Sequence, residues 1–190
     1  MTLNQQIRLI QAINFVLFLY GIWYLTQTDN WLAWFITAQI MAVIIAVLGG
    51  NVVLHRMVSH RAFKTWPWLE KILLTISVYT TIGSPLSFSA FHRYHHTHSD
   101  KIDDNHSPYQ HNADGTRTFS YWRAFKITIG AWDQPPINPR IVADLARDPY
   151  IRFLHHHYFK ILLLPLIVLA LINPLLVVYA YSWPMIQGLI

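Results

Sequence analysis

All eleven histidines of this 190-residue chain lie between positions 55 and 157, and five of them fall in two compact motifs, HRMVSH from His55 to His60 and HRYHH from His92 to His96. Positions i, i+3 and i+4 of an α-helix share a face, so His92, His95 and His96 can present three imidazoles in one direction. Such a face suits a metal ion. His55 and His60 stand about 140° apart on a regular helix, so they reach one centre only where the helix ends, bends or bulges between them. An isolated HxxxxH is commonly a structural pair, but two crowded clusters are hard to house as core residues, because each neutral imidazole needs partners. The chain has no cysteine, which excludes disulfides, iron–sulfur clusters, thiolate zinc and cysteine nucleophiles. Imidazole ligation without thiolate suits iron, zinc or copper. The HExxH zinc helix, the phosphate-cradling glycine loop and the GxSxG elbow are all absent.

The elements that must hold these histidines are set by composition. Hydrophobic residues make up 54% of the chain and charged residues 12%, about half the charge of an ordinary soluble domain. Three stretches approach the roughly 20 apolar residues that span a bilayer, at residues 9–25, 31–54 and 161–181. Pro165 and Pro174 in the third are tolerable, since membrane helices re-satisfy freed backbone groups through neighbours. Thirteen of the 14 Lys and Arg lie between residues 55 and 160, which places the N-terminus and the long central region in the cytoplasm under the positive-inside rule. The net charge of +5 therefore maps a membrane and not nucleic acid. Residues 68–91 are apolar enough to tempt another span, but Glu70 and Lys71 near one end and the Gly83-Ser84-Pro85 break predict an interfacial or re-entrant hairpin. Residues 92–160 read as a cytoplasmic cap, with turns at Asn112-Ala113-Asp114-Gly115 and Gln134-Pro135-Pro136 and a short helix from Pro139 to Asp148 capped by Asn138. The expectation is an all-α integral membrane protein, multi-pass, with one domain over residues 1–190.

The stretches HRMVSHRAFKTW, HRYHHTHSDKIDDNHSP and DPYIRFLHHHYFK, in this order, resemble the membrane fatty acid desaturases, and among them the Δ9 acyl branch. The resemblance implies a cytoplasmic non-heme centre of two irons that uses O2 and two electrons to place a cis double bond in a long acyl chain, as part of lipid biosynthesis. It carries His55, His60, His92, His95 and His96 over as metal ligands. Asp100, Asp104 and His106 match the acidic and histidine positions after the family's second box, and are expected to support the ligands from behind by accepting or donating hydrogen bonds. With no flavin or iron–sulfur motif in the chain, electrons are expected from a ferredoxin, rubredoxin or cytochrome b5 type partner.

Asn105 stands where the family often has proline. His155, His156 and His157 point about 100° apart on a helix and read as interfacial residues at the entrance of the third span. The family's third HxxHH box lies beyond a fourth span, whereas Ile190 comes before one, so the chain is expected to match the first two-thirds of a desaturase, incomplete at the C-terminus. Ala90 and Phe91 stand where animal acyl-CoA enzymes carry charges, which leaves CoA, acyl carrier protein or phospholipid as the acyl carrier. Arg93, Arg123 and Lys126 are expected to meet its anionic headgroup. The alternatives are a di-iron hydroxylase, separable by its product, and a metal-binding membrane protein or inert fragment. A transporter should carry ionisable ligands inside its spans, and these spans have no charge and no histidine.

Overall fold

Five helical segments start in the same way, with proline at the first helical position after an extended residue: Trp66-Pro67, Ser84-Pro85, Asn138-Pro139, Asp148-Pro149 and Asn173-Pro174. Proline fits there because its φ is preset and no N–H is required. In the last four the preceding side chain accepts a hydrogen bond from a first-turn N–H, satisfying a donor that the helix leaves open. The computed structural model describes residues 3–99, 101–102, 104, 106–112, 114–128 and 137–189.

Helix α1 covers Leu3–Leu25, and α2 runs unbroken from Trp31 to Ser59. Both are long and apolar enough to cross a membrane, with mean hydropathies of 1.4 and 2.2 over their richest windows. From Val43 to Ser59 α2 is wound with i→i+5 hydrogen bonds. It ends beyond His60, where Arg61 takes a left-handed φ of 52°. Residues 68–91 form no membrane-length helix. Helix α3 (Pro67–Val78) is about 18 Å long at 1.5 Å per residue, and Thr81 (φ 50°) and Gly83 (φ 119°) turn the chain into α4 (Pro85–His98). Both helices pack against the i→i+5 segment of α2. A two-stranded antiparallel hairpin follows, β1 (Tyr109–His111) with β2 (Arg117–Phe119), and then α5 (Tyr121–Thr128). The hairpin closes where a turn is expected, with Gly115 N–H donating to Asn112 O at 3.1 Å and Gly115 at φ 81°.

The helix expected from Pro139 to Asp148 is instead two 3-10 turns, Pro139–Val142 and Leu145–Arg147, after which Asp148 caps α6 (Pro149–His156). Helix α6 bends by 64° into α7 (Tyr158–Ile172). The apolar stretch 161–181 is not one continuous helix. The chain breaks at Asn173, whose side chain caps Leu175 N–H, and continues as α8 through Pro174–Val177, Val178–Ser182 and Trp183–Leu189. Pro165 stays inside α7. Helix α8 runs back along the bundle. Tyr179 donates to Gly21 O at 2.7 Å, Ser182 donates to Asn14 Oδ1 at 2.9 Å, and Gln187 bonds Gln39 at 2.9 Å. It is thus antiparallel to α1 and parallel to α2, heading toward the end of α2 that carries His55.

The core joins α2, α3, α6, α7 and α8, with Leu54, Leu74, Leu154 and Leu162 fully buried, each worth about 1.5–3 kcal/mol relative to exposure. It underlies the histidine motifs and fixes α2 and α3 as a platform. The outward faces of α1 and α7 are apolar, with Val16, Trp23, Leu164 and Leu171 all more than half exposed, as a lipid-facing surface requires.

Candidate metal centre

The i→i+5 winding supplies the bulge that His55 and His60 need. Where N–H of residue i+5 bonds C=O of residue i, residue i+5 sits roughly above residue i, and such turns recur at functional sites. His60 N–H donates to His55 O at 3.1 Å, closing that ring around the pair. The two Nε2 atoms are then 3.1 Å apart.

Helix α4 supplies the other side. Ser84 accepts from Ser87 N–H and begins the helix, so His92 and His96 lie one turn apart on the face toward α2. Phe88, one turn earlier, stacks on the His92 ring at 5.4 Å between centroids and 10° between planes. His92 Nε2 lies 3.0 Å from His60 Nε2 and 3.0 Å from His96 Nε2. One ligand atom from each of His55, His60, His92 and His96 falls within 4.8 Å of all the others. Nitrogens bound about 2.0–2.1 Å from one ion are about 3 Å apart when they subtend a right angle. The four histidines could hold a metal ion.

The electrostatics fit that use. Burial, and then the neighbouring imidazoles led by His55, lower His92 from the ordinary 6.5 to about 3. Burial and then His60 and His95 lower His96 as well. Metal ligands must be deprotonated, and this crowding favours the neutral ring.

His95 is set apart from the four. Its Nδ1 lies 3.0 and 2.9 Å from the two carboxylate oxygens of Asp104, which is 1% exposed. Asp104 Oδ1 also accepts His106 N–H at 3.0 Å. With Nδ1–H given to the carboxylate, His95 keeps Nε2 as its donor atom. The His106 ring stands 5.1 Å from that of His95, and its pKa is lowered by desolvation and then by His95. Asp100 lies outside the described residues. His155 does not join the cluster; its Nδ1 pairs with Ser84 Oγ at 2.8 Å, tying α6 to the α3–α4 turn.

Two of the three basic residues expected to meet a headgroup point inward. Arg93 is 20% exposed and bonds Ser59 O, Ile141 O and Asp144. Arg123 donates to Ser107 O at 3.3 Å and Asp104 O at 3.4 Å, holding the loop behind His95. Lys126 lies over the Trp122 ring at 6.0 Å. Arg93, Asp144, Phe88 and the Ser59–Ser89 pair belong to the site's frame, and none of them carries a local motif that would announce it.

A curated relative, the sn-1 stearoyl-lipid 9-desaturase of Anabaena variabilis, is 32% identical over 58% of this chain and 38% of its own length. The chloroplastic palmitoyl-monogalactosyldiacylglycerol delta-7 desaturase of Arabidopsis thaliana is 35% identical over 61% of the chain and 30% of its length. The acyl-CoA 5-desaturase AL21 of Anemone leveillei is 32% identical over 69% of the chain and 39% of its length. The chain is similar to acyl desaturases over more than half of its own length. It spans less than two fifths of the length of these desaturases. No family model matches it, and no solved structure matches it. Among desaturases named for positions 9, 7 and 5, the branch is not fixed by the family alone.

Proposed function

We propose that this chain carries iron for the O2-dependent introduction of a cis double bond, at C9, into a long-chain fatty acyl substrate. The observation that carries the reading is the convergence of four Nε2 atoms from two helices, within 4.8 Å of one another, in a relative of acyl desaturases. His55, His60, His92 and His96 would hold iron through Nε2, and His95 through the nitrogen that Asp104 leaves open. Two irons are the number we assign. Iron, when bound, supplies the redox chemistry that lets O2 remove hydrogen from an unactivated methylene.

The reaction balances as –CH2–CH2– plus O2, two electrons and two protons giving –CH=CH– and two waters. The chain's own part is to orient five imidazoles and to favour the neutral ring at His92 and His96. Asp104 holds the His95 proton on Nδ1, and Phe88 fixes the His92 ring. The acyl carrier we assign is a lipid ester or CoA, the two carriers in the relatives' names. Electrons come from a ferredoxin, rubredoxin or cytochrome b5 type protein, since the chain has no cysteine and no nucleotide loop. The 13 basic residues between positions 55 and 160 support a cytoplasmic histidine side.

The test is iron per chain after anaerobic loading with ferrous ion in detergent. Iron retained by the wild-type chain and lost from His92→Ala and His96→Ala supports the reading. No retained iron in a folded, helical wild-type chain overturns it. Fatty acid analysis of expressing cells then separates the chemistry: a cis monoene that disappears in His96→Ala supports desaturation, and a hydroxy acid in its place overturns it.

A further inference from the structure

Arg93 sits between two of the candidate ligands in sequence, directly after His92, yet it faces the other way. One residue along a helix is a turn of about 100°, so its side chain leaves the histidine face and reaches the end of α2. There Nε donates to Ser59 O at 2.9 Å and Nη2 to Val58 O at 3.4 Å. Nη1 donates to Ile141 O at 2.9 Å, in the first of the two 3-10 turns. The same two terminal nitrogens grip Asp144 as a fork, at 2.7 Å and 3.1 Å. All five N–H donors of the guanidinium are therefore used.

These partners are particular in place. Ser59 and Val58 are the last carbonyls before His60, and a helix end leaves such groups open. One planar group thus joins the backbone beside His60, the helix that carries His92 and His96, and the segment that lies behind both. Asp144 completes the clamp by also taking Arg61 at 2.8 Å, the residue whose left-handed backbone ends α2. Arg93 holds the Asp144 carboxyl below its usual range. Lysine, a point charge with three donors, cannot span the same five contacts.

We propose that Arg93 is a positioning residue of the metal centre. Its clamp sets the distance between the pair His55/His60 and the pair His92/His96, and Asp144 sets the orientation of the clamp. This inference rests on the reading of the four imidazoles as metal ligands.

The test uses cobalt(II) alone, titrated into the detergent-purified chain and read by its visible absorption, which reports ligand geometry. The wild type is expected to bind cobalt with a defined band, and His96→Ala is expected to lose it. Arg93→Lys should bind about 10–100-fold more weakly, the usual cost of losing a residue that orients ligands, with a displaced band. Asp144→Asn should shift affinity and band in the same direction, and the double variant should be no worse than Arg93→Lys, because both changes break one clamp. Tyr179→Phe, which loses a buried hydrogen bond far along the bundle, should lower the unfolding temperature and leave the band in place. Wild-type affinity and an unmoved band in Arg93→Lys would overturn the inference. Should Arg93→Lys fail to fold, Asp144→Asn decides by the same two readings. A wild-type chain that takes up no cobalt overturns the metal reading itself, and this inference with it.

Discussion

His55 and His60, five residues apart, bring their Nε2 atoms to 3.1 Å because the helix between them is wound i→i+5. An α-helical turn would point the two rings about 140° apart. The local winding is thus what makes the first motif a pair, and something must hold it. Ser59 is in position to do so: its Oγ donates to Leu54 O at 2.7 Å, five residues back, and pairs with Ser89 Oγ of α4 at 2.9 Å.

Ser59→Ala should therefore destabilise the chain by about 1–3 kcal/mol, the cost of leaving a buried polar group without its partner. Both serines are buried, Ser89 completely. Replacing both partners by alanine removes the orphan as well as the bond, so Ser59→Ala/Ser89→Ala should be less destabilised than the sum of the single variants. Thermal unfolding in detergent measures all three, and strict additivity would show that the serines do not act as a pair.

Acid should weaken the metal-free fold through the histidines. His92 is held near 3 against 6.5 in the unfolded chain, and His96 is also lowered. A depressed histidine binds its proton more readily when unfolded, so stability rises with pH across that window. Above about 6.5 the ring is neutral in both states and contributes no slope. The unfolding temperature of the metal-free chain should thus be level above pH 6.5 and fall as pH drops toward 3. His92→Gln should flatten that fall, and an unchanged profile in this variant would assign the acid sensitivity elsewhere.

Asp104 is a buried carboxylate whose oxygens are both directed at His95 Nδ1. Asparagine keeps the shape but gives up the charge that makes the opposite nitrogen more basic. Asp104→Asn should weaken metal binding about 10–100-fold while helicity is retained. Competition against a chelator of known affinity checks this, and full affinity in the variant would remove Asp104 from the site.

Much of this arrangement could be read from local chemistry. The α3–α4 hairpin follows from Gly83, which takes a positive φ, and from Ser84-Pro85, a cap followed by proline. The His92–His96 face follows from helical spacing. The need for a distortion between His55 and His60 is also legible, although its i→i+5 form depends on packing of α3 and α4 against α2. The stretch 161–181 was misleading because its two prolines look alike. Leu164 before Pro165 cannot cap a helix, whereas Asn173 before Pro174 does, and only the second proline ends one. Arg93 was harder still. Its partner Asp144 is 51 residues away, and no local pattern separates a clamp from a headgroup-binding arginine.

The reversal at Asn173 makes a prediction about the membrane. Helix α8 returns parallel to α2, so the α1–α2 turn and Asn173 belong at one end of the bundle, and the start of α3 belongs at the other with the histidines. The chain has no cysteine, so single cysteines report position without background. Asp29→Cys and Asn173→Cys should react with a membrane-impermeant maleimide from the outside of intact cells. Lys64→Cys, four residues after His60, should react only after the membrane is opened. Labelling of Lys64→Cys from outside would invert the orientation. Labelling of Asp29→Cys and Asn173→Cys from opposite sides would dismantle the bundle, because Tyr179 could not then reach Gly21.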